Sequence, residues 1–205
     1  MSQDHLTHAE HRDDEASKLG MWLFIFTELL LFGGLFVVYA VYRYMNAEAF
    51  HLAHEELSVT MGTINTVILL ISSATVAMST SAIRLGDTKK ALILIAITII
   101  AALVFMVNKY FEWGGKFEHG LYPGSAELAA RGQGEVLFFG LYFFMTGLHG
   151  LHIIVGLVLL TISYIGVKRG TINGGSPVML DNSGLYWHLV DLIWIFLFPL
   201  FYLIK

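Results

Sequence analysis

The sequence of 205 residues contains no cysteine, only three prolines and few charged residues. Without cysteine, the chain cannot form disulfides, iron–sulfur clusters or thiolate metal sites. Charged residues make up 14% of the chain, whereas a soluble domain carries about 25%. The net charge of −4 argues against nucleic acid as a partner. The sequence patterns of P-loop NTPases, α/β-hydrolases and zinc peptidases are absent, so none of these enzyme classes is predicted.

Long apolar segments dominate what is present. A helix needs roughly 20 apolar residues to cross the ~30 Å hydrocarbon core of a bilayer. Five segments approach or exceed this length, at about residues 19–42, 59–83, 91–107, 136–167 and 184–204. They are too long for barrel strands, and a helix satisfies its own backbone polar groups in lipid. The sequence therefore predicts an all-α, polytopic membrane protein with five transmembrane helices in a bundle.

Two segments outside the predicted spans are polar or rich in glycine. Residues 1–18 are acidic and contain His5, His8 and His11, but they lack the basic region that begins a signal peptide. We predict a solvated, poorly ordered tail there, with a histidine-rich metal site as the alternative. Residues 111–135 contain six glycines and are predicted to form an ordered or semi-ordered surface loop.

Lysine and arginine predict the orientation of the helices. Seven of them lie on the side of the N-terminus and of the loops after the second and fourth spans, and five lie on the other side. The positive-inside rule then places the N-terminus in the cytoplasm and the C-terminus outside. We expect the inner membrane of a bacterium as the location.

Glu28 is the only charged residue within the first span and lies near the centre of the bilayer. A charge at that depth costs at least ~2.5–3.5 kcal/mol. We therefore expect a protonated carboxyl unless a cation or a chain of water reaches it. Two roles stay open, a proton-linked or lipid-contacting carboxyl and a neutral acid hydrogen-bonded to a neighbouring helix.

The fourth span carries His149 and His152, which share one helix face because they are three residues apart. Bis-histidine heme ligation needs facing helices, and carboxylate–histidine metal sites need acidic ligands that this span lacks. We interpret both residues as hydrogen-bonded packing histidines, with heme or metal ligation as the alternative. Gly147 and Gly150 nearby are expected to permit close helix packing.

His188 and Asp191 are also three residues apart, on the fifth span. We predict a local pair that neutralises the carboxylate and fixes the imidazole tautomer, with a proton relay as the alternative. Glu112, just beyond the third span, is predicted to be interfacial and, taken alone, a solvated charge. Tryptophan often anchors helices at the membrane interface, and the lipid or interface candidates are Trp22, Trp113, Trp187 and Trp194.

Several segments resemble motifs of one family, subunit III of cytochrome c oxidase. Residues 146–156, TGLHGLHIIVG, resemble its signature TG-x-HG-x-H-x-x-x-G, and residues 186–198, YWHLVDLIWIFLF, resemble its last helix, YWHFVD-x-x-WLFL. Residues 20–28 are similar to its G-x-x-LFI-x-SE segment, and residues 65–75 to its N-T-x-x-LL-x-S-S/G-x-T helix. Glu112 falls in its E-Y-x-E motif, where Lys109 replaces the first glutamate, so no role is carried over to Lys109. The family's longer members have seven helices, and this chain resembles the short five-helix form.

The resemblance implies a non-catalytic subunit of a proton-pumping, respiratory heme-copper oxidase. Such a subunit holds no heme or copper, which belong to subunits I and II. It packs against subunit I, binds phospholipid, helps maintain proton uptake and protects the oxidase from inactivation during turnover. By resemblance, Glu28 matches a buried glutamate that reacts with hydrophobic carbodiimides. The other matching positions have mainly structural roles, namely His149, His152, His188 and Asp191.

Three other functions stay open. An accessory subunit of a quinol oxidase or of a nitric oxide reductase would share these motifs. A proton-coupled transporter would need paired, broken helices around a site at the midplane, and the only proline within a span is Pro199, near its end. A b-heme membrane anchor is the third alternative.

Overall fold

The computed structural model describes the backbone of residues 3–204 and the side chains of residues 14–204. This part of the chain is helical throughout, apart from short connections. Its elements are α1 (Gln3–Met45), α2 (Ala47–Glu55), α3 (Val59–Arg84), α4 (Thr88–Glu118), α5 (Ala126–Arg131), α6 (Gln133–Arg169), α7 (Val178–Phe198) and a terminal π-helical turn (Pro199–Leu203). The predicted all-α fold is confirmed.

Five helices are long and apolar enough to cross a membrane. They are Asp14–Met45, Val59–Arg84, Thr88–Glu118, Gln133–Arg169 and Val178–Leu203. Each contains one predicted span, so the five-helix prediction is confirmed. The helices extend beyond the apolar segments, because polar residues continue a helix outside the hydrocarbon, whereas hydropathy marks only the part inside it.

Two segments differ from the expectations. Residues 111–135 were expected to be a loop, but α4 continues to Glu118 and α5 follows at Ala126–Arg131. The backbone of α1 begins at Gln3, so helix also covers residues assigned to the polar tail. The side chains of His5, His8 and His11 lie outside the described residues, and the metal-site alternative there stays untested.

Four of the membrane helices form a ring. α3 packs on α4, α4 on α6, α6 on α7 and α7 on α3, while α1 packs against the outside of α6 and α7. More than half of the most apolar window of α7 is buried inside the chain, compared with about a tenth of that of α1. Side chains of α7 therefore form much of the polar interior, and α1 keeps most of its surface free.

Glycines permit close contact between helices at particular positions. A Cβ on Gly156 of α6 would lie 2.7 Å from ring carbons of Trp187 in α7, so only glycine lets the indole pack there. A Cβ on Gly147 would lie 3.2 Å from Trp113, which agrees with the predicted close packing. Gly150 has no neighbouring atom within 4 Å of such a Cβ, and the expectation of close packing is wrong for this residue.

Candidate functional site: polar clusters inside the bundle

Glu28 of α1 contacts His152 of α6, with 3.0 Å between Glu28 Oε2 and His152 Nε2. The other ring nitrogen, Nδ1, lies 2.8 Å from the carbonyl oxygen of Leu148 and donates to it, because a carbonyl only accepts. His152 Nε2 and the Glu28 carboxyl therefore share one proton. The pair is neutral overall whether the proton rests on the carboxyl or on the imidazole.

This contact shows what both residues bond to, while the role of Glu28 in proton transfer stays a prediction. His152 is a hydrogen-bonded packing histidine, as predicted, and Phe32 and Tyr186 cover its ring at centroid distances of 5.4 and 6.4 Å. The carboxyl of Glu28 bonds to a neighbouring helix and reaches a basic group at the same time. The pair also attaches α1 to the ring of helices, because its two side chains come from different helices.

The second cluster is built from Lys109 and Glu112 of α4, Tyr142 of α6 and Tyr202 of the terminal π-helical turn. Lys109 Nζ donates to Glu112 Oε2 at 3.0 Å, to Tyr142 Oη at 3.0 Å and to Tyr202 Oη at 3.1 Å. Both phenols donate in turn to Glu112 Oε1, Tyr142 at 2.7 Å. The side chains of Lys109 and Glu112 are only 8% and 5% exposed.

The pattern of donors fixes the charges in this cluster. Lys109 uses all three N–H groups of an ammonium, and Glu112 accepts three hydrogen bonds. Three donations require a charged lysine, and a carboxylate that only accepts is ionised. The aromatic faces of Tyr142 and Trp194 add further stabilisation, with Lys109 Nζ 4.9 and 5.5 Å from the ring centroids.

Two sequence expectations are corrected by this cluster. Glu112 is buried in an ion pair and is not a solvated interfacial charge, because α4 continues past it and brings it under two tyrosines. Lys109, for which no role was carried over, makes three hydrogen bonds in the cluster. Tyr142 and Tyr202 were missed. The spacing of Lys109 and Glu112, one helix turn apart, was the signal that could have indicated the ion pair.

His149 differs from His152 in its surroundings. It is fully buried, and neither of its ring nitrogens has a hydrogen-bond partner in the described part of the chain. Its ring packs on Phe105 and Trp194, with centroids 5.7 and 5.2 Å away. The prediction of a packing histidine is confirmed, but the predicted hydrogen bond is wrong. The reason is that its face of α6 meets aromatic rings.

Two of the tryptophans also lie elsewhere than expected. Trp187 and Trp194 are buried in the bundle, where their indole N–H groups donate to Ser72 Oγ and Thr66 Oγ1 of α3, both at 3.0 Å. They are not interfacial anchors, because their face of α7 packs against α3 in the interior of the bundle. Trp22 on α1 is 58% exposed and stays a candidate for lipid or partner contact. Trp113 is partly buried against Phe143.

The third cluster involves His188 and Asp191 of α7 and Ser73 of α3. His188 Nδ1 lies 2.8 Å from Ser73 Oγ, so the histidine pairs with a serine on the next helix. Asp191 is 3% exposed, and neither carboxyl oxygen forms a hydrogen bond with any described residue. The predicted local pair of His188 and Asp191 is therefore wrong. The hydroxyl of α3 lies nearer to the imidazole than the carboxyl one turn away.

The described residues contain no group of three or more histidine, aspartate or glutamate side chains that could hold a metal ion. A membrane bundle with paired interior charges and extensive free surface on α1 defines a polytopic helical membrane subunit. Comparison with known proteins identifies its family. The family model described as "Cytochrome c oxidase subunit III" matches residues 4–205.

Curated relatives agree with this match. The chain is 30% identical to cytochrome c oxidase subunit 3 of Thermostichus vulcanus over 195 residues, which covers 95% of this chain and 90% of that protein. It is 29% identical to quinol oxidase subunit 3 of Bacillus subtilis, over 97% of both chains. It is 28% identical to the heme-copper oxidase subunit I+III of Aeropyrum pernix, over 90% of this chain and 22% of that protein.

The chain therefore belongs to the cytochrome c oxidase subunit III family, as the sequence motifs indicate. It is a subunit III of a heme-copper oxidase, an oxidoreductase complex, and it associates with other oxidase subunits. It is a multi-pass membrane protein with five spanning helices.

Proposed function

We propose that this chain is the non-catalytic subunit III of a proton-pumping respiratory oxidase, in which it stabilises subunit I and supports its proton uptake. Heme and copper belong to the partner subunits in this proposal, and electrons do not pass through this chain. The observation that carries it is the relative named "heme-copper oxidase subunit I+III". That name describes subunits I and III in one protein, which supports direct packing of this chain on a separate subunit I.

The free surface of the chain suits such packing. α1 lies outside the ring and presents apolar side chains such as Leu19, Phe26 and Leu30, which are 59–61% exposed. Association of helices in lipid depends on packing and polar contacts, so an outer helix of this kind can contact both a partner and phospholipid. Subunit II and small subunits are further proposed partners.

The proposed role in proton uptake is supported by the contact of Glu28 with His152. The pair holds one shared proton within the membrane, and the Glu28 side chain is 14% exposed, so it is not sealed from the surface of the chain. Intramembrane ionisable groups generally mark proton or ion pathways. We place the N-terminus in the cytoplasm and the C-terminus outside, because seven of the twelve lysines and arginines lie on the N-terminal side.

The electron donor of the complex has two candidates. Cytochrome c is the first, because the family and several relatives carry its name. Quinol is the second, because the chain is almost equally similar to quinol oxidase subunit 3 of Bacillus subtilis. Steady oxygen consumption by the purified complex separates them, since only the true donor, supplied reduced, sustains turnover.

The test of the main proposal is purification of the tagged chain from native membranes in a mild detergent. We expect a heme-copper subunit I to copurify, together with heme bands in the absorbance spectrum. After dissociation, the isolated chain should lack a Soret band and stoichiometric copper. A Soret band in the isolated chain, or purification without any heme protein, would contradict the proposal. Membranes with the untagged chain, treated in the same way, are the control.

A further inference from the structure

Asp191 is a buried acid for which the described residues supply no counter-charge. It lies 13 residues after the start of α7 at Val178, about 20 Å along the helix, and so within the hydrocarbon region. It is 3% exposed, its oxygens are not hydrogen-bonded, and it is in no ion pair with the residues that the structure describes. Because an unpaired carboxylate at this depth is costly, Asp191 holds a proton at rest.

Ser73 of α3 is hydrogen-bonded to His188 and lies near this acid. Its Oγ lies 2.8 Å from His188 Nδ1, and its side chain also lies within interaction range of the Asp191 carboxyl. A serine hydroxyl has one donor and two acceptor positions and can rotate about its bond. His188 and Asp191 face the same side of α7, one turn apart. A small shift that brings the Ser73 hydroxyl into hydrogen-bond contact with the carboxyl would therefore join the acid and the imidazole.

His188 in turn lines a cavity of about 270 Å³ that has charged and apolar residues in its wall. The cavity lies at the end of the bundle where α3 ends and α7 begins, and its wall includes Lys18, Arg84, Asp181 and Asn182. Arg84 donates to Asp181 at 2.8 Å there. A cavity of this size with charged walls holds water. When Nδ1 accepts from Ser73, the ring proton of His188 is on Nε2.

We propose that Asp191 is a proton-exchange site that is connected to this cavity through Ser73 and His188. In the release step, the Asp191 O–H bond breaks as its proton bonds to Ser73 Oγ. The former Ser73 proton bonds to His188 Nδ1, and the Nε2 proton moves to cavity water, forming hydronium. The net change is one proton transferred from carboxyl to water, and the reverse sequence reloads the acid.

The proposal is tested by infrared spectroscopy of the intact oxidase complex. The carbonyl band of protonated Asp191 is identified by its loss in Asp191→Asn and by its shift on carbon-13 labelling of aspartate. After transfer to heavy water, the rate of the deuterium shift of this band measures exchange. We expect Ser73→Ala and His188→Phe to slow it by about 10²-fold, the lower range for loss of a positioned proton carrier.

Ser79→Ala is the matched control, because Ser79 is a fully buried serine of the same helix whose hydroxyl donates to the carbonyl of Val76. Its exchange rate should equal that of the wild type. Equal rates in Ser73→Ala and the wild type would overturn the relay. The absence of any protonated carboxyl band that responds to Asp191→Asn would overturn the site. If Asp191→Asn does not assemble, the labelled aspartate band in the Ser73→Ala complex gives the same decision.

Discussion

The buried ion pair of Lys109 and Glu112 gives the sharpest test of the interior of this bundle. We consider Lys109→Met, Glu112→Gln and the double variant. Lys109→Met leaves a carboxylate among two tyrosines with no cation. Glu112→Gln leaves an ammonium with only phenol oxygens and aromatic faces around it. Each single change therefore strands one charge in a region where both side chains are less than a tenth exposed.

The expected magnitudes follow from this burial. Removing one partner of a buried ion pair costs about 3–5 kcal/mol, because the remaining charge is uncompensated. The double variant removes both charges and leaves a glutamine amide with the phenols, so it should cost less than the sum of the single costs. We expect a coupling of about 2 kcal/mol or more, toward the upper range for residues in one network.

The measurement is the fraction of this chain retained in the purified complex over a temperature series, for the wild type and the three variants. The control cycle uses Arg131→Met and Glu56→Gln, because the side chains of that ion pair are 35% and 41% exposed. An exposed pair contributes about 0–1 kcal/mol, so these variants should stay close to the wild type. Wild-type retention of Lys109→Met, or single costs that simply add, would refute the fixed charges assigned to the cluster.

Two further predictions concern helix contacts. Gly156→Ala should destabilise the complex by about 1–3 kcal/mol, because its Cβ would lie 2.7 Å from the Trp187 ring. Gly150→Ala, whose Cβ would have no neighbouring atom within 4 Å, should be neutral in the same thermal assay. Equal behaviour of the two variants would contradict the packing of α6 on α7. Glu28→Gln should assemble normally and keep α1 attached, because an amide N–H can also donate to His152 Nε2. Glu28→Leu should lose part of this chain from the complex on purification. Failure of Glu28→Gln to assemble would show that the contact requires a charge.

Much of the fold could be predicted from the sequence, because the physical requirement is severe. A helix in lipid must be long and apolar, and five segments satisfied both conditions. The ends of the helices could not be found in this way. Polar residues such as Glu118 occur in the water-exposed end of a helix as readily as in a loop, and hydropathy does not distinguish these two structures. The short helices α2 and α5 were missed for the same reason.

The partners of the polar side chains were harder to predict. His188 and Asp191, one turn apart, were expected to pair, which was a sound inference for an isolated helix. The neighbouring helix decided the outcome in each case. The imidazole of His188 is hydrogen-bonded to Ser73 of α3, and that of His152 contacts Glu28 of α1. Aromatic rings enclose His149. Periodicity gives the face on which a residue lies, but not the helix that this face meets.

Each polar cluster joins a different set of helices. Lys109 and Glu112 connect α4 to α6 and to the terminal turn, and Ser73 and His188 connect α3 to α7, so these two clusters lie within the ring. The pair of Glu28 and His152 attaches α1 from outside, together with hydrogen bonds from Tyr39 of α1 to the carbonyl of Leu200 and from Asn182 of α7 to Ser17 of α1. Because lipid supplies no hydrophobic force between helices, such polar contacts and close packing hold them together. Loss of the first two clusters should therefore disturb the ring itself. Loss of the third should weaken the attachment of α1 and leave the other four spanning helices in place.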